Sequence, residues 1–219
     1  YVMDKINTKL ILLMKLLCAL VALVSSIVMF GWVTKTDSFL RLTPEMTPMQ
    51  FNTALCFLLT IIGLMIIILN RSQHLRKFAV VVGTISLISL LEYLFDINVG
   101  IDELFIEHYI QTDLVTHPGR MAPNTALCFM LSAFFLICYQ NTNERYLEIN
   151  RTLACLVIGV SSVSLLVYLF FMPTAYGWSN LTGMALSTSI SFLIIGSIIL
   201  MLLRDKSEDP SYYTAPYYL

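Results

Sequence analysis

The sequence predicts an all-α, polytopic membrane protein, with six transmembrane helices arranged as three parallel helical-hairpin repeats around a pseudo-threefold axis. Three observations carry that prediction. The 219-residue chain is 58% hydrophobic and only 12% charged, with a mean hydropathy of +0.79, whereas a soluble domain carries about 25% charged residues. Six apolar stretches each come close to the roughly 20 residues that cross a bilayer. One short pattern then recurs at the start of every second stretch. Thirteen Lys and Arg stand against fourteen Asp and Glu. With no basic excess, a nucleic-acid partner is not expected.

In chain order the expected spans are 10–33, 48–69, 78–95, 121–139, 152–171 and 183–203, giving hairpins over about 10–69, 78–139 and 152–203. The first span is too long for a signal-peptide core and no A-x-A-type site follows it, so it reads as a retained anchor. The second opens on Thr47, suited to an N-cap, and Pro48, suited to the first helical position; Thr182 stands equivalently before the sixth. Together residues 1–206 form one membrane domain. Residues 207–219 form a short tail expected to be disordered, because Ser207-Glu-Asp-Pro210 stops a helix. No soluble catalytic domain fits between the spans. No hydrolase triad, P-loop or glycine-rich nucleotide motif occurs either, so no enzymatic activity is expected.

The charges set an orientation. Lys5, Lys9, Arg71, Arg76, Lys77, Arg145, Arg151, Arg204 and Lys206 fall on one side, and only Lys35, Arg41 and Arg120 on the other. By the positive-inside rule both termini are cytoplasmic. The outer connections are net acidic, which suits a cation better than an anion. All five cysteines lie within spans and none forms a C-x-x-C pair, so they read as small packing residues.

The repeat is explicit in the residues. Met49-Gln-Phe-Asn-Thr-Ala-Leu-Cys-Phe57 matches Met121-Ala-Pro-Asn-Thr-Ala-Leu-Cys-Phe129, and a weaker copy is Met184-Ala-Leu-Ser-Thr-Ser-Ile-Ser-Phe192, at offsets of 72 and 63 residues. The preceding helices echo each other too, in Leu91-Glu-Tyr-Leu-Phe95 and Leu166-Val-Tyr-Leu-Phe170. Asn52, Asn124 and Ser187 begin one weakly polar stripe per returning helix. Two readings stand for these stripes: close helix packing with interhelical hydrogen bonds, or an externally open pocket lined by three helix N-termini.

Pro118-Gly-Arg-Met-Ala-Pro-Asn-Thr-Ala-Leu-Cys-Phe129, preceded by Gly100-Ile-Asp-Glu-Leu-Phe105, resembles the MASE-like integral membrane sensor (input) domains of bacterial sensor histidine kinases and diguanylate cyclases. The resemblance covers roughly residues 10–203. It implies a sensory input domain that detects an extracytoplasmic or membrane-dissolved signal and relays it through the last helix to a cytoplasmic kinase or cyclase module. Sixteen residues follow Leu203, so the chain reads as an isolated input domain or a stand-alone relative. The rival expectations are an accessory or scaffold subunit of a membrane complex and a small transporter.

The expected ligand-binding residues are Glu92, Tyr93, Asn52, Thr53, Arg120, Asn124, Thr125, Ser187 and Thr188. Glu92 is the first of these, because an ionisable group within a span is a functional hypothesis by default. It is either buried beside Arg120 or lies at the interface with Asp96. Connection 96–120 alternates apolar and acidic residues, as in an amphipathic segment covering the bundle mouth, either as a lid or as an interfacial cover. Trp32, Tyr176 and Trp178 read as an outer aromatic belt. His108, His117 and nearby methionines are of the ligand types that a soft metal takes. They show no paired spacing, so no metal or cofactor is assigned. The expected partners are the bilayer, a small ligand, and a second copy or a larger membrane complex.

Overall fold

Six α-helices make up most of a computed structural model that describes residues 8–71, 74–110, 115, 117–141, 143–170 and 183–208. They are α1 (Thr8–Thr34), α2 (Phe51–Ile68), α3 (Leu75–Phe95), α4 (Pro123–Cys138), α5 (Glu144–Leu169) and α6 (Leu186–Glu208), with a 3₁₀ turn at Asp37–Phe39 after α1. Five of them are long and apolar enough to cross a membrane; α4, with 16 residues, is apolar but shorter. The chain is thus helical and membrane-suited, as its composition demands.

The helix boundaries differ from the sequence expectation for local reasons. Pro123 takes the first helical position of α4, where its missing N–H costs nothing, so Met121 and Ala122 stay outside the helix. Gln50, not Thr47, is the N-cap of α2, and it makes no side-chain cap bond. Thr182 lies outside the described residues. Helix α5 begins at Glu144, well before the apolar run, because the Asn143 side chain accepts a bond from the Arg145 N–H and caps a polar first turn.

The helices pack as hairpins, α1 with α2, α3 with α4 and α5 with α6, with α2, α4 and α6 inside. The outer helices expose Leu12, Leu16, Leu23 and Phe30 on α1, Val80, Leu87 and Leu94 on α3, and Leu156, Val163 and Leu169 on α5. Lipid contact accounts for such a surface; water does not. Cys18, Cys56 and Cys128 are buried and Cys138 is half-buried. Cys155 departs from the packing expectation and is exposed on α5.

Each outer helix turns the same narrow stripe inward. Cys18, Val21, Ser25 and Val28 on α1 correspond to Ala79, Val82, Ser86 and Ser89 on α3 and to Ala154, Val157, Ser161 and Ser164 on α5, and all twelve are buried. Small residues at this spacing let helix backbones approach closely. Gly196 on α6 shows how close: a Cβ there would lie 2.5 Å from Ile158 Cγ1 on α5. On the inner helices Phe57, Phe129 and Phe192 form a triangle with every pair of ring centroids 4.7 Å apart, all three fully buried.

The stripe ends in an aromatic residue at the end of the bundle that holds the long connections. Trp32 Nε1 donates to the Met49 carbonyl at 2.9 Å, and Tyr168 Oη donates to the Met184 carbonyl at 2.8 Å. These two bonds join equivalent residues of the first and third hairpins. Trp32 is 2% exposed, so it is a buried clasp and not part of an aromatic belt. Tyr176 and Trp178 lie outside the described residues.

Candidate functional site

The middle hairpin departs from its neighbours at the same end. Where α1 carries Gly31 and α5 carries Val167, α3 carries Glu92, one residue before its aromatic Tyr93. Glu92 is fully buried, which decides between its two sequence readings. Its Oε2 lies 3.4 Å from Arg120 Nε, and the same nitrogen donates to Asp102 Oδ2 at 2.8 Å. Arg120 and Asp102 are 2% and 5% exposed. One buried cation therefore stands between two buried carboxylates.

These charges fasten the connection between α3 and α4. Glu92 Oε1 accepts the Val99 N–H at 2.8 Å, and Arg120 Nη2 donates to the Ile97 carbonyl at 2.9 Å. From α2, Asn52 Nδ2 donates to the carbonyls of Ile101 (2.9 Å) and Asp102 (3.1 Å). Residues 96–110 thus form a strap held from α2, from α3 and from Arg120 just before α4. Among its described residues there is no helix, and the apolar face is turned opposite to the amphipathic expectation. Ile97, Val99, Leu104 and Phe105 are exposed while Asp102 points inward. Paired charge seats the middle of the strap, and Ile106, Tyr109 and Ile110 pack its far end against the core.

Gly119 makes the seating possible. It holds φ +73°, and a Cβ there would lie 2.6 Å from the Asp102 carbonyl oxygen. A left-handed backbone costs an ordinary residue about 1–2 kcal/mol, and the clash adds to that. Gly119→Ala is therefore expected to loosen the strap and lower the thermal midpoint by several degrees, with helix content unchanged by circular dichroism. An unaltered midpoint would mean that the strap is seated without this close approach.

The electrostatics follow from the geometry. Burial pushes the Asp102 carboxyl up to about 6; the hydrogen bond from Arg120 opposes the rise, and the neighbouring Glu92 carboxylate adds to it. Among the described residues, Glu92 Oε2 and Asp102 Oδ1 are buried with no hydrogen-bond partner. The Arg120 guanidinium carbon sits 5.2 Å from the Tyr93 ring centroid, a cation–π distance. His117 packs edge-on against Tyr93 at 5.4 Å; burial, then the Arg120 charge, pushes its imidazole pKa down. Under Trp32, burial likewise pushes the His108 pKa down, with the two ring centroids 5.3 Å apart. No three metal-ligating side chains come together among the described residues.

The nine residues singled out from sequence fall in three places. Glu92, Tyr93, Arg120 and Asn52 gather at the charged cluster. Thr53, Thr125 and Thr188 are each 1–2% exposed and line one small chamber near the bundle axis. Asn124 and Ser187 join neither group. Asn124 Nδ2 reaches Ser164 on α5 at 3.3 Å, and Ser187 borders an apolar groove of about 390 Å³ between α1 and α6. The reason is helical phase. Adjacent residues on a 3.6-residue helix differ by about 100°, so when the threonines face the axis, the residues before them face a neighbouring element. Asp102 and Gln50 were missed as individual residues, although Asp102 sits inside the Gly100–Phe105 string. Comparison with protein families, curated proteins and solved structures finds no match to this chain.

Proposed function

We propose that this chain is a membrane-embedded sensory input domain of a bacterial signal-transduction protein, with the charged strap as its signal-responsive element and α6 as its output. The observation that carries the reading is the buried Glu92–Arg120–Asp102 cluster. Three ionised groups in a low-dielectric site are costly and yield little net stability over apolar packing, so their presence suits a two-state element better than a static support. With Asn52 of α2, the cluster joins the strap to α3 and to the segment that leads into α4, and a change in its pairing moves these helix ends together.

In this reading all six helices span the bacterial inner membrane, α4 included, as three parallel hairpins about a pseudo-threefold axis. Both termini lie in the cytoplasm and the strap faces outward. The Phe57–Phe129–Phe192 triangle, the common buried stripe of the outer helices and the nine-to-three Lys/Arg asymmetry support this arrangement. The phenylalanine triangle also closes the bundle axis, which speaks against a transporter. Signalling partners are a kinase or cyclase module linked through α6 and a second copy of the chain.

Glu92→Gln tests the proposal selectively. It keeps the size of the side chain, and Asp102 still pairs with Arg120, so the protein is expected to insert and fold. Placed upstream of a diguanylate cyclase module, the variant is expected to change cyclic-di-GMP output at least severalfold, at unaltered membrane abundance. Equal output from the two proteins would overturn the sensory assignment.

A further inference from the structure

The chamber at the bundle axis has no role in the strap. It holds about 10 Å³ and is lined by Gln50, Thr53, Thr125 and Thr188 together with small or apolar residues of the 47–49, 122 and 183–185 segments. The volume admits one water-sized body and excludes any polyatomic metabolite. The N-terminal ends of α2, α4 and α6 meet around it.

Three features bear on what occupies it. Each helix N-terminus carries about half a positive elementary charge, and neither α2 nor α4 has a side-chain cap at that end. Gln50 is 3% exposed, and among the described residues neither its amide nitrogen nor its amide oxygen has a hydrogen-bond partner. Leaving a buried amide unpaired is costly. Among the described residues no acidic side chain lines the space. One turn deeper than the threonines, the three phenylalanines close the floor with apolar surface, where helix dipoles act in a low dielectric.

We propose that the chamber is a binding site for one monatomic anion of the halide class. The threonine hydroxyls and the Gln50 amide N–H₂ would supply its hydrogen bonds, and the three helix ends its compensating charge. The sensory reading is not needed for this site, and the site does not imply it.

The test uses the unaltered protein in detergent, crystallised from sodium bromide. An anomalous bromine peak within hydrogen-bonding distance of Gln50 Nε2 is expected. The thermal midpoint is expected to be roughly 2–4 °C higher in sodium chloride than in sodium gluconate of equal ionic strength. Gln50→Leu and, as a milder change, Thr125→Val should remove that difference. A chamber holding only water in the bromide crystals would overturn the proposal, as would equal midpoints in chloride and gluconate. The bromide measurement requires no variant, so it decides the question even if Gln50→Leu does not fold.

Discussion

Arg120→Gln is expected to destabilise the protein by about 3–5 kcal/mol, the usual cost of removing one partner from a buried ion pair. The substitution leaves the Glu92 and Asp102 carboxylates facing each other with no cation between them, and it removes the tether to the Ile97 carbonyl. For a chain of this size the thermal midpoint should fall by roughly 10 °C. Arg120→Lys should recover only part of the loss. An ammonium lacks the planar fork that serves Asp102 through Nε and Ile97 through Nη2 at the same time. Adding Glu92→Gln and Asp102→Asn to Arg120→Gln should restore stability, since no buried charge then remains unpaired. If Arg120→Gln melted with the unaltered protein, the cluster would not hold the strap.

The second large effect concerns pH. Asp102 titrates at about 6 in the folded protein against an ordinary value of 3.8, so the native state binds its proton more tightly than the unfolded chain does. Stability from this group is therefore fully present below about pH 4 and is lost as the pH rises through 6. At one pKa unit per roughly 1.4 kcal/mol, the loss is about 3 kcal/mol. Asp102→Asn keeps an acceptor for Arg120 and leaves Glu92 as its single counter-charge. The variant is expected to melt above the unaltered protein at pH 8 and to lose the fall in midpoint between pH 5 and 8, leaving only the opposite, rising contribution of His108 and His117. A pH slope in Asp102→Asn as steep as in the native sequence would place the titrating group elsewhere.

The parts of the fold that repeat were the most legible in the sequence. The pattern of Met, Asn or Ser, Thr and Phe marks the starts of α2, α4 and α6 because the same packing problem is solved three times at one end of the bundle. The echo in α1 was harder to find. Cys18, Val21 and Ser25 share burial and spacing with Ala79, Val82 and Ser86, but valine and serine are too common in this chain for two matches to mark a repeat. Helix starts were misplaced wherever hydropathy and backbone chemistry disagree, as at Pro123 and at the polar first turn of α5. Within the site, the Glu92–Arg120 pairing followed from topology alone, because α3 and α4 are joined at that end. Asp102 did not, since it is one of seven acids in the α1–α2 and α3–α4 connections, and nothing local distinguishes the one that turns inward. Phase explains the rest: Asn52 and Thr53 are neighbours in sequence and serve different places.

The inequality of helix lengths has a mechanical consequence. Helices α2 and α4 have 18 and 16 residues, or about 27 and 24 Å at 1.5 Å per residue, below the roughly 30 Å of a hydrocarbon core. The lipid-facing helices α1 and α5 have 27 and 26 residues and exceed it. In a bilayer, a change of thickness would act first on these longer outer helices, whose tilt would be felt as shear against the shorter helices they pack on. The strap bridges the two layers, from Glu92 on α3 to Asn52 on α2, and would lie across that shear.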